Sequence, residues 1–408
     1  MIAHPTKLLF KLILFLLMPI VKKKLVRITT VPLSIDKLLG GQLSYMNSFY
    51  EVTAISSEIE YLKRCALAEN VKFHHLEMTR KITPLKDLIA LIKLFIYLKN
   101  EKPEMVHSHT PKAGMLAMIA AKLAGVPIRL HTVGGLPLME TKGLKRKILK
   151  SVEKLTYACA TAVYPNAYGL YDFIIENKLT SPKKLKVIAN GSTNGINTNY
   201  FSVNQISQEL KQSLKDDLKI QESDFIFVFV GRIVGDKGIN ELIQAFKRIM
   251  NNDFNIKLLL VGEEENEIDP LNKETQQELF TNRNIIKVGW QKDIRPYLAL
   301  SDVLILPTYR EGFPNVVMQA GAMGLPTIVS NINGCNEIVE DGKNGIIIPV
   351  KNVIAIEEAV FKIKNDKIFF NNLKKNSREM ITSRYEQQLV WNAILAEYQN
   401  LDLQSTLL

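Results

Sequence analysis

Cysteine is scarce in this chain, and the few cysteines are widely scattered. Only Cys65, Cys159 and Cys335 occur among 408 residues, and an odd number without regular spacing argues against a disulfide framework. We therefore expect the protein to work in a reducing compartment. None of the six histidines stands at zinc-ligand spacing from a cysteine, so the sequence predicts no metal site.

Signatures of nucleic-acid binding are also missing. The chain has no recognition helix, zinc pattern or aromatic-rich sheet motif, and it shows neither internal repeats nor low-complexity segments. Its 52 basic and 41 acidic residues give a net charge of +11. This excess favours anionic partners such as nucleotide diphosphates or lipid headgroups, and we expect no nucleic-acid partner.

A segment long enough to span a membrane is absent from the N-terminal region. Residues 8–21 are apolar except for Lys11 and Pro19, and three lysines follow directly. A helix of this length reaches only about 21 Å, whereas the hydrocarbon core of a bilayer is roughly 30 Å thick. We interpret residues 1–24 as a monotopic or re-entrant membrane anchor. The alternatives are a non-native upstream extension and an apolar helix packed on the protein itself.

Short apolar segments alternate with helical segments along the rest of the chain. This alternation predicts parallel sheets that are covered by helices on both faces. The length fits two such domains, which we place at 25–195 and 196–385, followed by a last helical segment at 386–408. The predicted strands are 25–31, 51–56, 105–108, 128–132, 162–164 and 185–189 in the first domain, and 225–230, 256–261, 285–288, 303–307, 327–330 and 345–349 in the second.

The most informative segment begins at Glu311. This acidic residue and a Gly-Phe-Pro turn run directly into a short apolar helix. The free N–H groups in the first turn of a helix, together with its dipole, favour an anion at that end. We therefore predict a phosphate cradle that includes Gly312 and the N–H groups around Phe313, Asn315 and Val316. The alternative is an ordinary connection between a strand and a helix.

This segment closely resembles the donor loop of the family 4 retaining glycosyltransferases. The signature of that loop is a glutamate, seven further residues and a second glutamate, and in this chain the two positions hold Glu311 and Gln319. The resemblance implies that Glu311 lies against the donor sugar and that Gln319 holds the ribose of the nucleotide. Ribose hydroxyls are uncharged, so the amide of Gln319 can still form hydrogen bonds with them. Compared with a carboxylate, it loses mainly the contribution of the charge to these bonds, about 1 kcal/mol.

Two cations, Arg232 and Lys237, stand in one short loop after the predicted strand 225–230. An arginine fork and a mobile lysine suit a diphosphate and can neutralise the charge that grows on a departing nucleotide. The family has an arginine and a lysine on the donor phosphates at the matching positions; without the resemblance, such a pair is typical of solvated surface. The chain contains no Asp-x-Asp triplet, the usual metal anchor of the other main glycosyltransferase fold. We therefore expect a metal-independent enzyme without a cofactor.

Two glycines and a histidine of the first domain match further positions of the family. Gly40 and Gly41 follow the first strand, where backbone without side chains can approach a ligand closely, as the glycine loop of the family approaches the donor. His109 stands at the carboxyl end of a predicted strand, and the family has a histidine near the transferred sugar there. For His107, deeper in the same strand, we expect a structural role, and the role of His131 stays open.

A strongly basic amphipathic helix is predicted at 143–157. Its apolar residues recur with helical spacing, and basic residues occupy much of the remaining surface. The helix lies in the domain that should receive the acceptor, which suits a lipid-linked acceptor at a membrane surface; a solvated surface helix is the alternative. The apolar stripe is Leu144, Ile148, Val152 and Leu155, and the basic residues are Lys145, Arg146, Lys147, Lys150 and Lys154.

The resemblance covers residues 25–400 and implies an α/β structure of the GT-B type. In this fold two doubly wound, Rossmann-like domains face each other across a cleft, and ligands bind at the carboxyl ends of the parallel strands. The last helix commonly crosses back to the first domain, and 386–400 is the candidate here. The second domain is expected to hold the nucleotide, and the first is expected to receive the acceptor.

The implied activity is the transfer of a hexosyl or N-acetylhexosaminyl group from a nucleotide-diphosphate sugar, here a UDP-sugar, with retention of configuration. We expect a polyprenyl-diphosphate-linked or other glycolipid acceptor, used for a bacterial capsule, O-antigen or exopolysaccharide at the cytoplasmic face of the inner membrane. The alternatives are a UDP-sugar 2-epimerase of the same fold and a non-catalytic, membrane-bound assembly scaffold. The apolar N-terminus and the donor loop disfavour the epimerase, and only Gln319 suggests the scaffold.

Overall fold

Two parallel sheets of six strands each form the framework of the protein. The structure is a computed structural model that describes residues 22–252, 255–265, 267 and 269–406. Of the membrane anchor that we predicted at 1–24, residues 1–21 lie outside this range, whereas Lys24 already begins the first strand. Within the described residues, no helix is both long and apolar enough to cross a membrane.

The first sheet follows the doubly wound pattern, with the strand order β3-β2-β1-β4-β5-β6. Its strands are β1 (Lys24–Ile28), β2 (Glu51–Ser56), β3 (Lys72–His75), β4 (Met105–His109), β5 (Ile128–Val133) and β6 (Ala162–Pro165). Because the order reverses after β3, right-handed crossovers place the helices of the two halves on opposite faces. The helices are α1 (Pro32–Leu38), α2 (Gln42–Asn47), α3 (Ile59–Glu69), α4 (Pro84–Glu101), α5 (Pro111–Ala124), α6 (Gly143–Cys159) and α7 (Tyr168–Glu176).

Alternate residues of the central strands supply the two cores of this domain. Leu25 of β1 packs into the core that α1 to α3 cover, whereas Val26 packs into the core that α4 to α6 cover. Both side chains are buried, as expected for a parallel sheet with helices on both faces. Burial on both sides explains the continuous apolar runs from which the strands were predicted.

Two features of the first sheet differ from the prediction. Residues 185–189 are not a strand: Leu185 forms one isolated bridge with Val163, and Ala189 then turns the backbone with a φ of 51°. The sixth strand is instead β3, which pairs with β2 at the edge of the sheet. The prediction missed β3 because its sequence, Lys-Phe-His-His, is mostly polar and at least partly exposed, so it contains no buried apolar run.

The second sheet repeats this arrangement, with the order β12-β11-β10-β7-β8-β9. Its strands are β7 (Phe225–Val230), β8 (Ile256–Val261), β9 (Ile285–Gly289), β10 (Val303–Leu306), β11 (Thr327–Ser330) and β12 (Gly345–Ile348). All six strands predicted here are confirmed, as is the doubly wound α/β architecture. The helices are α8 (Gln208–Asp217), α9 (Ile239–Asn252), α10 (Lys273–Thr281), α11 (Arg295–Leu300), α12 (Asn315–Ala322), α13 (Cys335–Ile338), α14 (Val353–Asn365) and α15 (Lys367–Tyr385).

The last helix, α16 (Gln387–Thr406), returns to the first domain. Ile394 and Tyr398 of this helix are buried in the core that α1 to α3 cover. Trp391 Nε1 also donates to Asn194 Oδ1 at 2.6 Å. This helix therefore links the end of the second domain to the first sheet.

A buried arginine lies where α16 meets the first sheet. The guanidinium of Arg27 donates to Gln42 Oε1 at 2.5 Å and to the Tyr398 hydroxyl at 3.1 Å. It also lies 2.8 Å from His109 Nε2. The Tyr398 hydroxyl is in turn 2.5 Å from His107 Nδ1. Among the described residues no carboxylate forms an ion pair with Arg27, so neutral acceptors replace part of the water that this cation has lost, and its Nε has no hydrogen-bond partner.

We predict that Tyr398→Phe destabilises the protein, because the hydroxyl contacts both Arg27 and His107. Loss of the hydroxyl leaves two buried polar groups without this partner, so the free energy of unfolding should fall by about 1–3 kcal/mol. Chemical denaturation measures this change. Tyr168→Phe is the control: this side chain is 53% exposed and should change stability by less than about 0.5 kcal/mol. Equal effects of the two variants would contradict the role of the buried cluster.

The buried histidines of the first sheet should make stability depend on pH. Burial holds the pKa of His107 and of His109 well below the usual value and lowers that of His131 to about 4. Between about pH 4 and 6.5 the unfolded chain therefore binds more protons, and each extra proton lowers stability by about 1.4 kcal/mol per pH unit of acidification. Glu153 has the opposite effect on stability, because burial raises its pKa to about 7 and the folded protein gains a proton there on acidification. This single carboxyl offsets only part of the effect of the three imidazoles.

We therefore expect the melting temperature to fall as the pH is lowered from about 7 to about 5. Calorimetry at constant ionic strength measures the slope. His75→Gln is the control, since this ring lies on the edge strand β3 and is only partly buried, and the variant should keep the slope of the wild type. A melting temperature that stays constant or rises on acidification would show that the three buried rings are not neutral.

Candidate active site

A cavity of about 710 Å³ lies in the cleft between the two domains. Loops at the carboxyl ends of both sheets supply its walls, as expected for ligand sites of doubly wound folds. At one side the two backbones nearly touch: a Cβ on Gly312 would lie 1.9 Å from the carbonyl oxygen of Gly134. Glycine at position 312 therefore permits the domains to meet beside the cavity.

The second domain contributes two cations from the loop after β7. Arg232 and Lys237 both line the cavity. Lys237 Nζ lies 2.5 Å from Glu311 Oε1, and Arg232 NH1 lies 3.2 Å from Glu265 Oε2. Each cation is thus paired with a carboxylate. An anionic ligand that binds here must share or replace these partners.

The lysine–glutamate pair is held in place by the loop around it. Asn333 Nδ2 donates to the main-chain oxygen of Gly312 at 2.7 Å and to that of Glu311 at 3.3 Å. The side chains of Lys237 and Glu311 are 15% and 21% exposed. Partial burial reduces screening by salt, so this pair attracts more strongly than a surface pair does. The arrangement places one carboxylate and one ammonium side by side at the cavity wall.

Other residues of the predicted phosphate cradle lie behind this wall. Phe313 is buried, and its ring packs 5.4 Å from the ring of Tyr385. Asn315 and Val316 open α12, which begins without a side-chain cap, but neither lines the cavity in this structure. Gln319, in the second turn of α12, does not line it either. The roles of these residues in donor binding stay predictions.

The glycine pair of the first domain contacts the C-terminal helix instead of the cavity. Gly41 has a φ of 77°, and a Cβ there would lie 2.7 Å from the Trp391 ring. The carbonyl oxygen of Gly40 accepts a hydrogen bond from Asn194 Nδ2 at 2.9 Å. Leu38, at the end of α1, is the nearest residue of this segment that lines the cavity. In this structure Gly41 therefore allows α16 to pack closely, and the contact of both glycines with a donor stays a prediction.

His109 and His131 of the first domain both line the cavity, and burial lowers the pKa of both imidazoles. Arginine can only donate, so Arg27 fixes His109 Nε2 as the acceptor, and the proton of the neutral ring is on Nδ1. His131 Nδ1 lies 2.9 Å from Ser108 Oγ. Its ring also packs against Gly114 of α5, where a Cβ would lie 2.2 Å from His131 Cε1. His107 lies in the buried cluster beneath them, which agrees with the structural role that we expected.

An ion-pair bridge that the sequence analysis missed joins the domains across the cleft. Arg310 of the second domain lies 2.7 Å from Asp236 Oδ2 and also pairs with Glu140 of the first domain. All three side chains line the cavity. Arg310 and Glu140 are 170 positions apart in the chain, so no local pattern could have revealed their contact.

Glu153 is a second cavity residue that the sequence analysis missed. It lies on α6, is only 7% exposed and lines the cavity. Burial raises its pKa to about 7, against a smaller opposing effect of the Tyr157 hydroxyl. The available signal was its charge, because Glu153 is the one acidic residue in a helix rich in lysine and arginine.

The predicted amphipathic pattern of α6 is present, but its apolar stripe faces outward. Leu144 is 73% exposed, and Ile148 and Leu155 are each about half-exposed. A surface helix of a globular protein normally turns such a stripe toward the core. The buried side of α6 is formed instead by Glu153 and Tyr157, together with their neighbours.

Comparison with known proteins identifies the family. Residues 211–380 match the family "Glycosyl transferases group 1", and residues 44–191 match the "Glycosyl transferase 4-like domain". The Staphylococcus aureus capsular polysaccharide biosynthesis glycosyltransferase CapM is 34% identical over 379 residues, which cover 92% of this chain and 97% of that protein. An Escherichia coli UDP-Gal:alpha-D-GlcNAc-diphosphoundecaprenol alpha-1,3-galactosyltransferase is 32% identical over 311 residues, 76% of this chain and 78% of its own.

Solved structures share the fold at lower identity. Anabaena HepE in complex with UDP superposes with a TM-score of 0.75 at 17% identity, over 93% of this chain and 100% of that one. A Rickettsia africae glycosyltransferase gives a TM-score of 0.76 at 18% identity, over 93% and 98% of the two chains. Together with the identity to the capsular enzyme, these matches confirm the resemblance seen in the donor loop. The chain belongs to the family 4 glycosyltransferases of the GT-B fold.

Proposed function

We propose that the protein transfers a sugar from a UDP-sugar to a polyprenyl-diphosphate-linked acceptor in the synthesis of a bacterial surface polysaccharide, with retention of configuration. The observation that carries this proposal is the pairing of Lys237 with Glu311, beside Arg232, on the wall that faces the first domain. The names of relatives support the substrates. The E. coli relative is named for UDP-Gal and a diphosphoundecaprenol-linked sugar, and a Campylobacter jejuni relative, 25% identical over 325 residues, is named for a diphospho-undecaprenol-linked sugar.

The two cations stabilise the leaving group. When the bond between the anomeric carbon and the phosphate oxygen breaks, negative charge grows on the UDP diphosphate. The guanidinium of Arg232 can donate hydrogen bonds to two phosphate oxygens at once. The flexible side chain of Lys237 can place its ammonium beside the oxygen on which the charge grows. Lys237 exchanges Glu311 for a phosphate when the donor binds, before this bond breaks. The freed Glu311 carboxylate then accepts hydrogen bonds from hydroxyl groups of the donor sugar.

Retention follows if the acceptor attacks from the side that the diphosphate leaves. The departing phosphate oxygen then takes the proton of the acceptor hydroxyl, so no separate base is required. His109, neutral and fixed by Arg27, serves as a hydrogen-bonding group toward the transferred sugar. The contact between Gly134 and Gly312 narrows the cleft at its edge, which limits water and therefore donor hydrolysis.

We propose that this reaction needs no metal ion. Within the described part of the chain, no three histidine, cysteine, aspartate or glutamate side chains are grouped so that they could hold one. Arg232 and Lys237 supply two positive charges at the place where a divalent ion would otherwise meet the diphosphate. Turnover in the presence of a strong chelator tests this proposal.

Arg232→Ala and Lys237→Ala should mainly lower turnover. Each contact strengthens as the leaving group becomes charged, and loss of one such contact typically lowers kcat on the order of hundredfold to thousandfold. Steady-state kinetics at saturating donor measure kcat, and calorimetry with uridine monophosphate measures nucleotide binding, which should change little. Lys215→Ala is the control, because Lys215 of α8 pairs with Glu222, beyond the end of that helix, and does not line the cavity.

Nuclear magnetic resonance of the anomeric proton of the product tests the stereochemistry in the same assay. An α-linked donor sugar should remain α-linked. An inverted product, or near-normal turnover in both alanine variants, would contradict a leaving group held between Arg232 and Lys237. Interconversion of UDP-sugars without any acceptor would instead indicate an epimerase.

We propose that the first domain docks on an anionic membrane, at the cytoplasmic face, through α4 and α6. Both helices pack against α5 on one face of the sheet, and both turn apolar side chains outward between lysines. Such a face fits the interface of a bilayer: apolar side chains enter the lipid, and the ammonium groups meet the headgroups. The exposed large apolar residues of α4 are Leu85, Leu88, Ile89, Ile92 and Ile96, and its lysines are Lys86, Lys93 and Lys99.

The double variant Ile92→Ser/Ile96→Ser should bind vesicles that contain anionic lipid more weakly than the wild type. Two large apolar side chains no longer enter the lipid, so the partition coefficient in a flotation assay should fall on the order of tenfold or more. Phe280→Ser is the control, because this ring is 89% exposed but belongs to the second domain. Unchanged binding by the double variant, with the control equal to it, would show that α4 does not contact the membrane.

A further inference from the structure

Glu153 is a buried carboxyl in the acceptor-side wall, and the chemistry proposed above does not use it. It lines the cavity, as His131 of the same domain does, and no described residue forms an ion pair with it. A buried carboxyl without a cationic partner is costly while it is charged. Burial accordingly raises its pKa to about 7, so that close to neutral pH the group both donates and accepts hydrogen bonds.

One side of α6 is exposed to the surroundings of the protein, and the other side faces the cavity. Its apolar stripe, Leu144, Ile148 and Leu155, is exposed on the side that we assign to the membrane, whereas Glu153 is on the side that lines the cavity. A sugar joined to a membrane lipid through a diphosphate must enter the cleft along such a boundary. Glu153 is the polar group of this helix that such a sugar meets inside the cleft.

We propose that Glu153 holds the acceptor sugar by hydrogen bonds to two of its neighbouring hydroxyl or amide groups. This inference rests on the function proposed above and adds a specificity-determining residue to it. A carboxyl group can bind two adjacent polar groups of a sugar at once, donating with its O–H and accepting with its other oxygen.

The position of Glu153 favours the acceptor over the donor. The groups assigned to the donor diphosphate, Arg232 and Lys237, belong to the opposite domain. A carboxyl beside the diphosphate would repel it whenever the carboxyl is charged. Next to a neutral sugar, the same group makes hydrogen bonds in either protonation state.

The test uses Glu153→Leu, which removes both hydrogen-bonding oxygens, and Glu153→Gln, which keeps one acceptor and one donor group. Transfer is measured from the UDP-sugar that the wild type uses best in a panel to a synthetic prenyl-diphosphate-linked sugar. For Glu153→Leu we expect the acceptor KM to rise about tenfold to hundredfold. The donor KM, and the rate of donor hydrolysis without acceptor, should stay within about twofold of the wild type. Glu153→Gln should give a smaller rise in the acceptor KM.

Glu176→Gln is the matched control, because this carboxylate lies in the same domain, is exposed and does not line the cavity. It should leave the acceptor KM, the donor KM and the rate of donor hydrolysis unchanged. Thermal unfolding and UDP binding show whether each variant is folded. If Glu153→Leu does not fold, the acceptor KM of Glu153→Gln decides, since the amide has nearly the shape of the acid.

Two failures are distinguishable in this experiment. If the wild type transfers sugar and both Glu153 variants keep the acceptor KM of the wild type, the assignment of Glu153 is wrong and the proposed function stands. The same conclusion follows if the donor KM rises as much as the acceptor KM. If the wild type transfers no sugar to any prenyl-diphosphate acceptor, the proposed function itself is wrong.

Discussion

The carboxyl ends of two parallel sheets face each other, and the rest of the molecule depends on this constraint. In a parallel sheet every strand ends on the same side, so loops of different sequence position gather at one edge. Here β4 and β5 bring His109 and His131 to the cavity from one domain, and the loop after β7 brings Arg232 and Lys237 from the other. The helix α16 holds the sheets in this relation, since it leaves the second domain and is buried in the first.

The two walls of the cavity differ in electrostatics. The wall of the second domain carries charges that are paired with each other, as Lys237 is with Glu311. In the wall of the first domain, Glu140 pairs with Arg310 across the cleft, and burial disfavours the charged form of the other titratable groups, His109, His131 and Glu153. A diphosphate needs positive charge, whereas a sugar hydroxyl needs only directed hydrogen bonds. This division agrees with a donor on one side and a sugar acceptor on the other.

Binding of the donor diphosphate must change the ion pairs of the second domain. In the structure each cation already has a carboxylate partner, so a diphosphate gains attraction only to the extent that it replaces these partners. The bridge from Arg310 to Glu140 crosses between the domains at the same cavity.

The sequence by itself determined the second domain's strands, the doubly wound architecture and the loop that carries Arg232 and Lys237, because those signals lie within a few consecutive residues. It could not determine the edge strand β3, whose polar residues pair only because β2 offers a free edge. Nor could it show that Gly41 adjoins Trp391 or that Arg310 reaches Glu140, since each contact joins positions at least 170 residues apart. The helix α6 shows the division most clearly: spacing predicted its apolar stripe, but only tertiary packing decided that the stripe faces outward and that Glu153 turns into the cleft.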